Sequence, residues 1–180
     1  LEDETGKIIG FVMESIEDSK LLINIYSPQL RKRELEWSVD WLFLHHTAKN
    51  IATIIQSLHS QDYVIGDMKP QNILVNRYAS ASIIDTDSFQ VRHPQTKEIY
   101  HCLVGSEEFT PPELLEKELA KIVQTPTHDN FRLALIIYHL LFGEHPFKGK
   151  WIGTEDPPKI DKLIELGFWC YAPNSKILPR

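Results

Sequence analysis

Four polar side chains stand at offsets that suit one kind of chemistry, the transfer of a phosphoryl group. Asp67, Lys69 and Asn72 lie close together in the chain, and Asp85 follows 13 residues after Asn72. Phosphoryl transfer to a hydroxyl needs a carboxylate that orients the attacking oxygen, a cation near the moving phosphate, and oxygen ligands for Mg²⁺. The four residues fit those roles in order. The motif also fits a turn with an incidental lysine, because Asp, Pro and Asn are common turn residues.

The segments that carry these residues resemble the catalytic and metal-binding loops of the protein kinase family. Residues 64–72 read Val-Ile-Gly-Asp-Met-Lys-Pro-Gln-Asn, and residues 85–87 read Asp-Thr-Asp. Kinases carry H-R-D-x-K-x-x-N at the first place and D-F-G at the second. The resemblance implies ATP as the phosphate donor and Mg²⁺ as its metal. It also implies two catalytic residues and two metal ligands, Asp67 with Lys69 and Asn72 with Asp85.

Two positions depart from the family pattern. Gly66 replaces the arginine that, in many kinases, binds a phosphorylated residue of the activation loop. We therefore expect that phosphorylation of this loop is not the switch here. Asp87 replaces the glycine of D-F-G, and it is either a further metal ligand or an ordinary turn acid.

The sequences of these two loops resemble those of a bacterial branch of serine/threonine kinase-like proteins. The segments that carry the resemblance are Val-Ile-Gly-Asp in the catalytic loop and Ile-Asp-Thr-Asp-Ser-Phe-Gln-Val around the metal loop. Some members of that branch join the kinase to a helix-hairpin-helix segment that binds DNA. The sequence in hand contains no such segment.

Further matches to the family follow downstream. Residues 104–113 resemble the end of an activation segment. The resemblance implies that the Ser106 hydroxyl bonds to the catalytic Asp and Lys, and that Glu113 makes a buried ion pair with an arginine. An ordinary loop stiffened by prolines is the alternative for these residues. Asp129 opens an apolar stretch and corresponds to the family's Asp that caps amides of the catalytic loop. A plain N-cap role is compatible with that.

Periodicity and turn signals predict the elements that position these residues. Apolar residues spaced three and four apart predict a helix over residues 41–59. Residues 133–142 are apolar on all sides, which predicts a helix buried all round, and residues 160–166 predict a short amphipathic helix. Two short strands are expected at residues 73–75 and 82–84.

Residues 7–15 predict a strand that runs into a loop after a turn at Thr5-Gly6. In the resemblance this is the last strand of the N-lobe and the hinge to the C-lobe. Met13 then stands at the gatekeeper position, Glu14 to Ile16 offer backbone groups to adenine, and Leu74 forms the floor beneath it. Ordinary core packing remains open for Met13 and Leu74.

The resemblance implies an α+β, protein kinase-like fold that consists mainly of the helical C-lobe, with short β-hairpins and a remnant of the N-lobe sheet. Residues 1–16 correspond to the end of the N-lobe and hinge, and residues 17–180 to a C-lobe. The printed sequence has no glycine-rich loop and no lysine on a preceding strand. We expect the missing N-lobe to lie upstream, to come from another chain, or to be lost, and the isolated chain to be inactive.

Composition narrows the class of protein. The chain has 180 residues, of which 42% are hydrophobic and 24% charged, which is typical of a globular domain. A net charge of −6 argues against nonspecific nucleic-acid binding by this segment. No apolar run is long enough to span a membrane. The two cysteines lack metal-ligand spacing, the histidines at 45, 46 and 59 are interpreted as structural or surface residues, and a cytoplasmic location is expected.

Three functions remain open. The first is ATP-dependent phosphoryl transfer to serine and threonine hydroxyls of proteins, with a protein substrate as partner. The second is a pseudokinase that serves as a binding scaffold, suggested by the absent N-lobe and the changes at Gly66 and Asp87. The third is a small-molecule kinase of the aminoglycoside or choline type, which also carries I-D-x-D.

Overall fold

The computed structural model describes residues 1–10 and 12–179 and shows an α+β architecture built around the helices. The helices are α1 (Leu22–Tyr26), α2 (Pro28–Glu34), α3 (Trp41–His59), α4 (Pro126–Phe142) and α5 (Ile160–Glu165). The strands are β1 (Ser19–Leu21), β2 (Ile73–Asn76), β3 (Ala81–Ile83), β4 (Val91–Arg92), β5 (Ile99–Tyr100), β6 (Lys150–Trp151) and β7 (Ile177–Leu178). In this part of the chain no helix combines the length and apolarity needed to cross a membrane.

Helix α3 has the bounds that its apolar spacing predicts. Asp40 caps its first turn, because a side-chain oxygen of Asp40 accepts a hydrogen bond from the Phe43 amide at 2.7 Å. The buried face carries the predicted apolar residues, Leu44, Ala48, Ile51 and Ile55. This face packs on α4, so the helix that leads into the catalytic loop is fixed against the core.

Strands β1, β2 and β3 form an antiparallel sheet with β2 in the centre. Ile73 pairs with Ile83, and Ile73 and Val75 are buried while their neighbours along β2 are half-buried. This alternation is what a strand with one face on the core requires. The two predicted strands are therefore confirmed, with β3 beginning at Ala81, one residue earlier than expected.

Helix α4 is longer than its apolar stretch and is buried on one side. Its buried positions, from Asp129 and Arg132 to Ile136 and Leu140, follow helical spacing. The prediction that residues 133–142 are buried all round is wrong, because Phe142 is 59% exposed. The other face has too few neighbours among the described residues to cover it. The helix ends at Gly143, whose φ of 75° supplies the left-handed conformation of a helix C-terminus.

The N-terminal segment is less regular than its sequence predicts. A small hairpin is present, with an isolated bridge between Glu2 and Ile8 and a hydrogen bond from Asp3 N to Lys7 O of 2.9 Å. The strand predicted over residues 7–15 is not formed at the described positions, and its member Phe11 lies outside them. A strand needs a neighbour to pair with, and residues 12–16 make no hydrogen bond within the described chain.

A buried histidine, His145, and a half-buried one, His139, make the stability of the core depend on pH. Burial lowers the pKa of His139 and of His145 from the usual value near 6.5 to about 4. The His145 ring is satisfied as a neutral group, since Nε2 donates to Glu108 O at 2.9 Å and Nδ1 accepts from the Phe147 amide at 3.3 Å. His139 stacks on Tyr26 with ring centroids 3.8 Å apart.

We therefore expect the free energy of unfolding to fall as the pH drops from about 6.5 towards 4, because the unfolded chain then binds more protons than the folded one. The loss is on the order of 2 kcal/mol for each histidine. Urea denaturation across this range measures it. The variant His139→Phe keeps an aromatic ring and should flatten part of the dependence, whereas an equally steep profile in this variant would contradict the assignment.

Candidate active site

The catalytic loop begins in a turn that is held from beneath by α4. The side chain of Asp129, fully buried, accepts hydrogen bonds from Ile65 N at 2.7 Å and from Gly66 N at 3.0 Å. Gly66 has a φ of 75°, which L side chains adopt rarely. This turn directs the next residue, Asp67, which is 4% exposed. Asp129 thus caps two main-chain amides of this turn.

The carboxylate of Asp67 is the centre of the site. One of its oxygens, Oδ2, forms an ion pair with Lys69 Nζ, and Oδ1 accepts a hydrogen bond from Ser106 Oγ at 3.0 Å. Lys69 keeps 27% of its side chain exposed, so its ammonium group remains accessible to an incoming ligand. The Ser106 hydroxyl, 39 residues after Asp67 in the sequence, therefore meets the acid and the cation at one point.

Asn72 joins this centre to the second loop. It ends a short 3₁₀ turn, Pro70–Asn72, and its Nδ2 donates to Asp67 O at 3.2 Å and to Asp85 Oδ2 at 3.3 Å. The main chain closes the same contact, because Ile84 N donates to Asn72 O at 2.9 Å. The sequence places these residues on two sides of a hairpin, and the pairing of β2 with β3 brings them together.

The side-chain oxygen atoms at this hairpin are suitable ligands for a magnesium ion. Asp85 is exposed, and Asp85 Oδ1 and the amide oxygen of Asn72 accept no hydrogen bond from the described residues, so both oxygens are available to a metal. Mg²⁺ prefers oxygen ligands and commonly takes one or two protein side chains together with waters and phosphate oxygens. Within residues 1–10 and 12–179 no three His, Cys, Asp or Glu side chains cluster around a metal position. Bound phosphate would therefore have to complete the coordination.

Asp85 itself has a φ of 64°, in the left-handed region. Among residues with a Cβ, Asn and Asp tolerate this region best. Asp87, two residues further on, lies exposed in the turn Thr86–Ser88 and has no hydrogen bond to Asn72. The structure brings Asp85 to Asn72 and leaves Asp87 beside them.

The residues expected to hold adenine are on the surface. Glu14 and Ile16 are exposed, as is Met13 with 68% of its surface accessible. Core packing of Met13 is therefore excluded in this structure. Leu74 is half-buried in the centre of the sheet, where it pairs with Leu21 on one side and Ser82 on the other.

Glu113 has a different neighbour from the one that the family resemblance implies. Its side chain is 53% exposed and lies 3.6 Å from His128 Nε2. The buried ion pair with an arginine is not formed among the described residues. Burial lowers the pKa of His128, and the nearby charge of Glu113 opposes that shift.

The sequence interpretation missed several buried residues beneath the site. They are the polar side chains of Gln90, Gln124 and Arg132, and Cys102, which packs against Gly66. His59, interpreted from the sequence as a structural or surface residue, donates from Nε2 to Asp129 Oδ2 at 3.0 Å. The available signal was Arg132, which directly precedes the apolar run of α4 and follows Asp129 by three residues, because a charged side chain on a buried face needs a partner.

The contact between Gly66 and Cys102 leaves no room for a side chain. A Cβ on Gly66 would lie 2.4 Å from Cys102 Sγ and 2.6 Å from Cys102 Cβ. We expect Gly66→Ala to lower the free energy of unfolding by roughly 2–4 kcal/mol, from backbone strain and overpacking together. Thermal and urea denaturation measure the loss.

Gly167→Ala is the matched control, because Gly167 also has a positive φ, 66°, and no atom within 4 Å of an added Cβ. It should show only the backbone cost, about 1 kcal/mol. The double variant Gly66→Ala with Cys102→Gly removes the obstructing atoms, so the effect of the alanine should be smaller in that background. Equal losses in Gly66→Ala and Gly167→Ala would refute the packing argument.

Comparison with known proteins shows the family to which the chain belongs. The family model for the protein kinase domain matches residues 4–171. The chain is 39% identical to Protein kinase YegI of Escherichia coli K12 over 175 residues, which is 95% of this chain and 26% of that protein. It is 33% identical to human 3-phosphoinositide-dependent protein kinase 1 over 100 residues, 54% of this chain and 17% of the relative. It is also 26% identical to a probable serine/threonine-protein kinase of Dictyostelium discoideum over 92% of this chain and 13% of the relative.

The chain belongs to the protein kinase family. Its α+β architecture, with the catalytic-loop motif between helix α3 and the β2–β3 hairpin, is that of a protein kinase-like fold. The matched region spans about a quarter of the length of YegI, 26%.

Proposed function

We propose that this chain supplies the catalytic and metal-binding loops of an ATP- and Mg²⁺-dependent kinase that phosphorylates serine and threonine hydroxyls of proteins. The observation that supports this most strongly is the set of contacts around Asp67. A buried carboxylate bonds to Lys69 and Ser106, and Asn72 links it to the exposed carboxylate of Asp85. Retention of all these polar groups favours chemistry over a role in docking alone.

Each group has a distinct task in this proposal. Asp67 accepts a hydrogen bond from the substrate hydroxyl, aims its oxygen and takes its proton as the bond to phosphorus forms. Lys69 balances the charge on the transferred group, and Ser106 holds the Asp67 carboxylate in place. Asn72 and Asp85 hold Mg²⁺ through oxygen atoms. Bound Mg-ATP would supply the phosphoryl group, whose bond to the β-phosphate oxygen breaks so that ADP leaves.

Preference for serine and threonine rests on two residues. A lysine two positions after the catalytic Asp and a hydroxyl at the position of Ser106 resemble the serine/threonine pattern rather than the tyrosine pattern. A cleft with a volume of about 460 Å³ opens beside Lys69 and Ser106. A substrate segment of another protein bound there would lie beside Lys69 and Ser106, which both contact Asp67.

Nucleotide binding needs more than this chain in our proposal. Residues 1–16 form the end of the N-lobe and the hinge, and residues 17–180 form the C-lobe. Met13 then stands at the gatekeeper position, Glu14 to Ile16 offer backbone groups to adenine, and Leu74 forms the floor beneath it, once an N-lobe from the same chain or another completes the site. The exposure of residues 12–16 is consistent with a surface that a further lobe packs against.

The test is transfer of labelled γ-phosphate by the full-length protein. Substrates should include a generic protein, a peptide with tyrosine as its sole hydroxyl residue, an amino alcohol and an aminoglycoside. Labelled phosphoserine or phosphothreonine supports the proposal. Transfer to the amino alcohol or sugar alone would show a small-molecule kinase, and a folded protein that does not bind Mg-ATP would show a scaffold.

A further inference from the structure

An arginine is buried beneath the catalytic loop. The side chain of Arg132, in helix α4, is among the largest that are fully enclosed, and the residue is 1% exposed. Its Nη2 donates to Gln124 Oε1 at 2.8 Å, and its Nη1 donates to Asp129 Oδ1 at 3.3 Å. Burying a guanidinium costs several kcal/mol unless its charge and its donors are matched. These two partners come from different elements, so the guanidinium joins α4 to the segment before it.

Asp129, one partner of Arg132, also holds the catalytic loop. Asp129 Oδ1 receives the Gly66 amide as well as Arg132, while Oδ2 receives the Ile65 amide and His59 Nε2. Both amides directly precede Asp67. Because Arg132 compensates the buried charge of this carboxylate and fixes one of its oxygens, it acts on the turn that aims the catalytic acid.

Gln124, the other partner of Arg132, is hydrogen-bonded to the segment that follows the metal loop. Gln124 N donates to Gln90 Oε1 at 2.7 Å, and Gln90 Nε2 donates to Gln124 O at 2.8 Å. The main chain of Gln90 pairs in turn with Val64, through bonds of 2.8 and 3.1 Å. Arg132 thus closes a ring of buried hydrogen bonds that leads from Gln124 through Gln90 to Val64 and back through Asp129.

The ring surrounds the position where the family usually carries an arginine. A Cβ on Gly66 would lie 2.4 Å from Cys102 Sγ and 3.4 Å from Gln124 Nε2, so the interior there is already filled. The buried cation comes instead from α4, and it is paired with Asp129 and Gln124 of the protein itself. A phosphate on the loop is not needed to satisfy it.

We propose that Arg132 is a positioning residue for phosphoryl transfer, which locks the catalytic loop to residues 90 and 124 through Asp129 and Gln124. This proposal rests on the proposed function. It assigns to a built-in guanidinium the ordering that a phosphorylated activation loop provides in many kinases. Transfer should accordingly persist after the protein has been treated with a phosphatase.

The test compares Arg132→Met and Arg132→Lys in the full-length protein with Arg92→Met, an exposed arginine, as control. Hydrogen exchange is followed in peptides that cover residues 64–67 and 122–125, and kcat and KM for Mg-ATP are measured per folded molecule. In Arg132→Met we expect exchange in both segments to rise by about tenfold or more, the equivalent of one charge-assisted hydrogen bond. The kcat should fall by a similar factor while KM changes little.

Arg132→Lys keeps the charge but not the two-pronged geometry, so it should recover only part of the loss. If Arg132→Met does not fold, Gln124→Met serves instead, since it removes one partner of Arg132 and keeps the main-chain bonds to Gln90. An unchanged kcat per folded molecule, loosening spread evenly over the chain, or inactivation by the phosphatase would each overturn the proposal. If the wild-type protein transfers no phosphate, the proposed function fails, whereas the exchange data still decide whether Arg132 orders the loop.

Discussion

Asp67→Asn is expected to reduce phosphoryl transfer by roughly two to four orders of magnitude, the usual contribution of a positioned general base. The substitution keeps the size of the side chain and removes its charge. Asp67 is bonded to Lys69 and Ser106, whereas the proposed metal ligands are Asn72 and Asp85. Binding of Mg-ATP should therefore remain close to the wild-type affinity. Single-turnover kinetics and nucleotide titration on the full-length protein measure the two effects separately.

Asp62→Asn provides the matched control for this variant. Asp62 is exposed and has a φ of 61°, which asparagine also tolerates, and it has no bond to the catalytic residues. It should transfer phosphate at the wild-type rate. Near-normal turnover in Asp67→Asn, with the protein folded, would remove the role assigned to Asp67. Loss of nucleotide binding together with turnover would instead point to a structural role for this carboxylate.

The sequence predicts those parts of the site whose geometry is local. Asp67 and Asn72 lie five positions apart, and the short 3₁₀ turn Pro70–Asn72 brings Asn72 Nδ2 back to Asp67 O. Asp85 follows a short hairpin, so pairing of two strands is enough to return it to Asn72. The bounds of helix α3 follow from its apolar period, and the structure adds the cap at Asp40 that begins the helix.

Features that depend on distant partners were less accessible. The apolar composition of α4 gives no sign that Phe142 remains exposed, because exposure depends on what packs against that face. The strand expected near Ile8 is reduced to one bridge for the same reason. Gln90 and Gln124 are ordinary polar residues in the sequence. Only the fold shows that the buried side chain of Gln90 forms hydrogen bonds with the main chain of Gln124.

Asp85→Asn is expected to weaken binding of Mg-ATP by about tenfold or more, since it removes the negative charge from the proposed metal ligand. Asparagine is preferable to alanine because Asp85 has a φ of 64°, and alanine would add backbone strain to the loss of the ligand. Binding of ATP in the presence of a chelator should change little, because the lost interaction passes through the metal. Titration of a fluorescent nucleotide with and without Mg²⁺ gives both affinities.

The variant Asp87→Asn, measured in the same way, decides whether Asp87 also holds the metal. Both carboxylates are exposed and lie two residues apart, but Asp85 alone of the pair bonds to Asn72 in the described structure. If Asp87 is a turn acid, its variant should bind Mg-ATP as the wild type does; if it holds metal, both variants should lose affinity in Mg²⁺ and neither in chelator. Should Asp85→Asn bind Mg-ATP normally while Asp87→Asn does not, the metal site would be centred on Asp87, and the link from Asn72 to Asp85 would serve only to hold the hairpin.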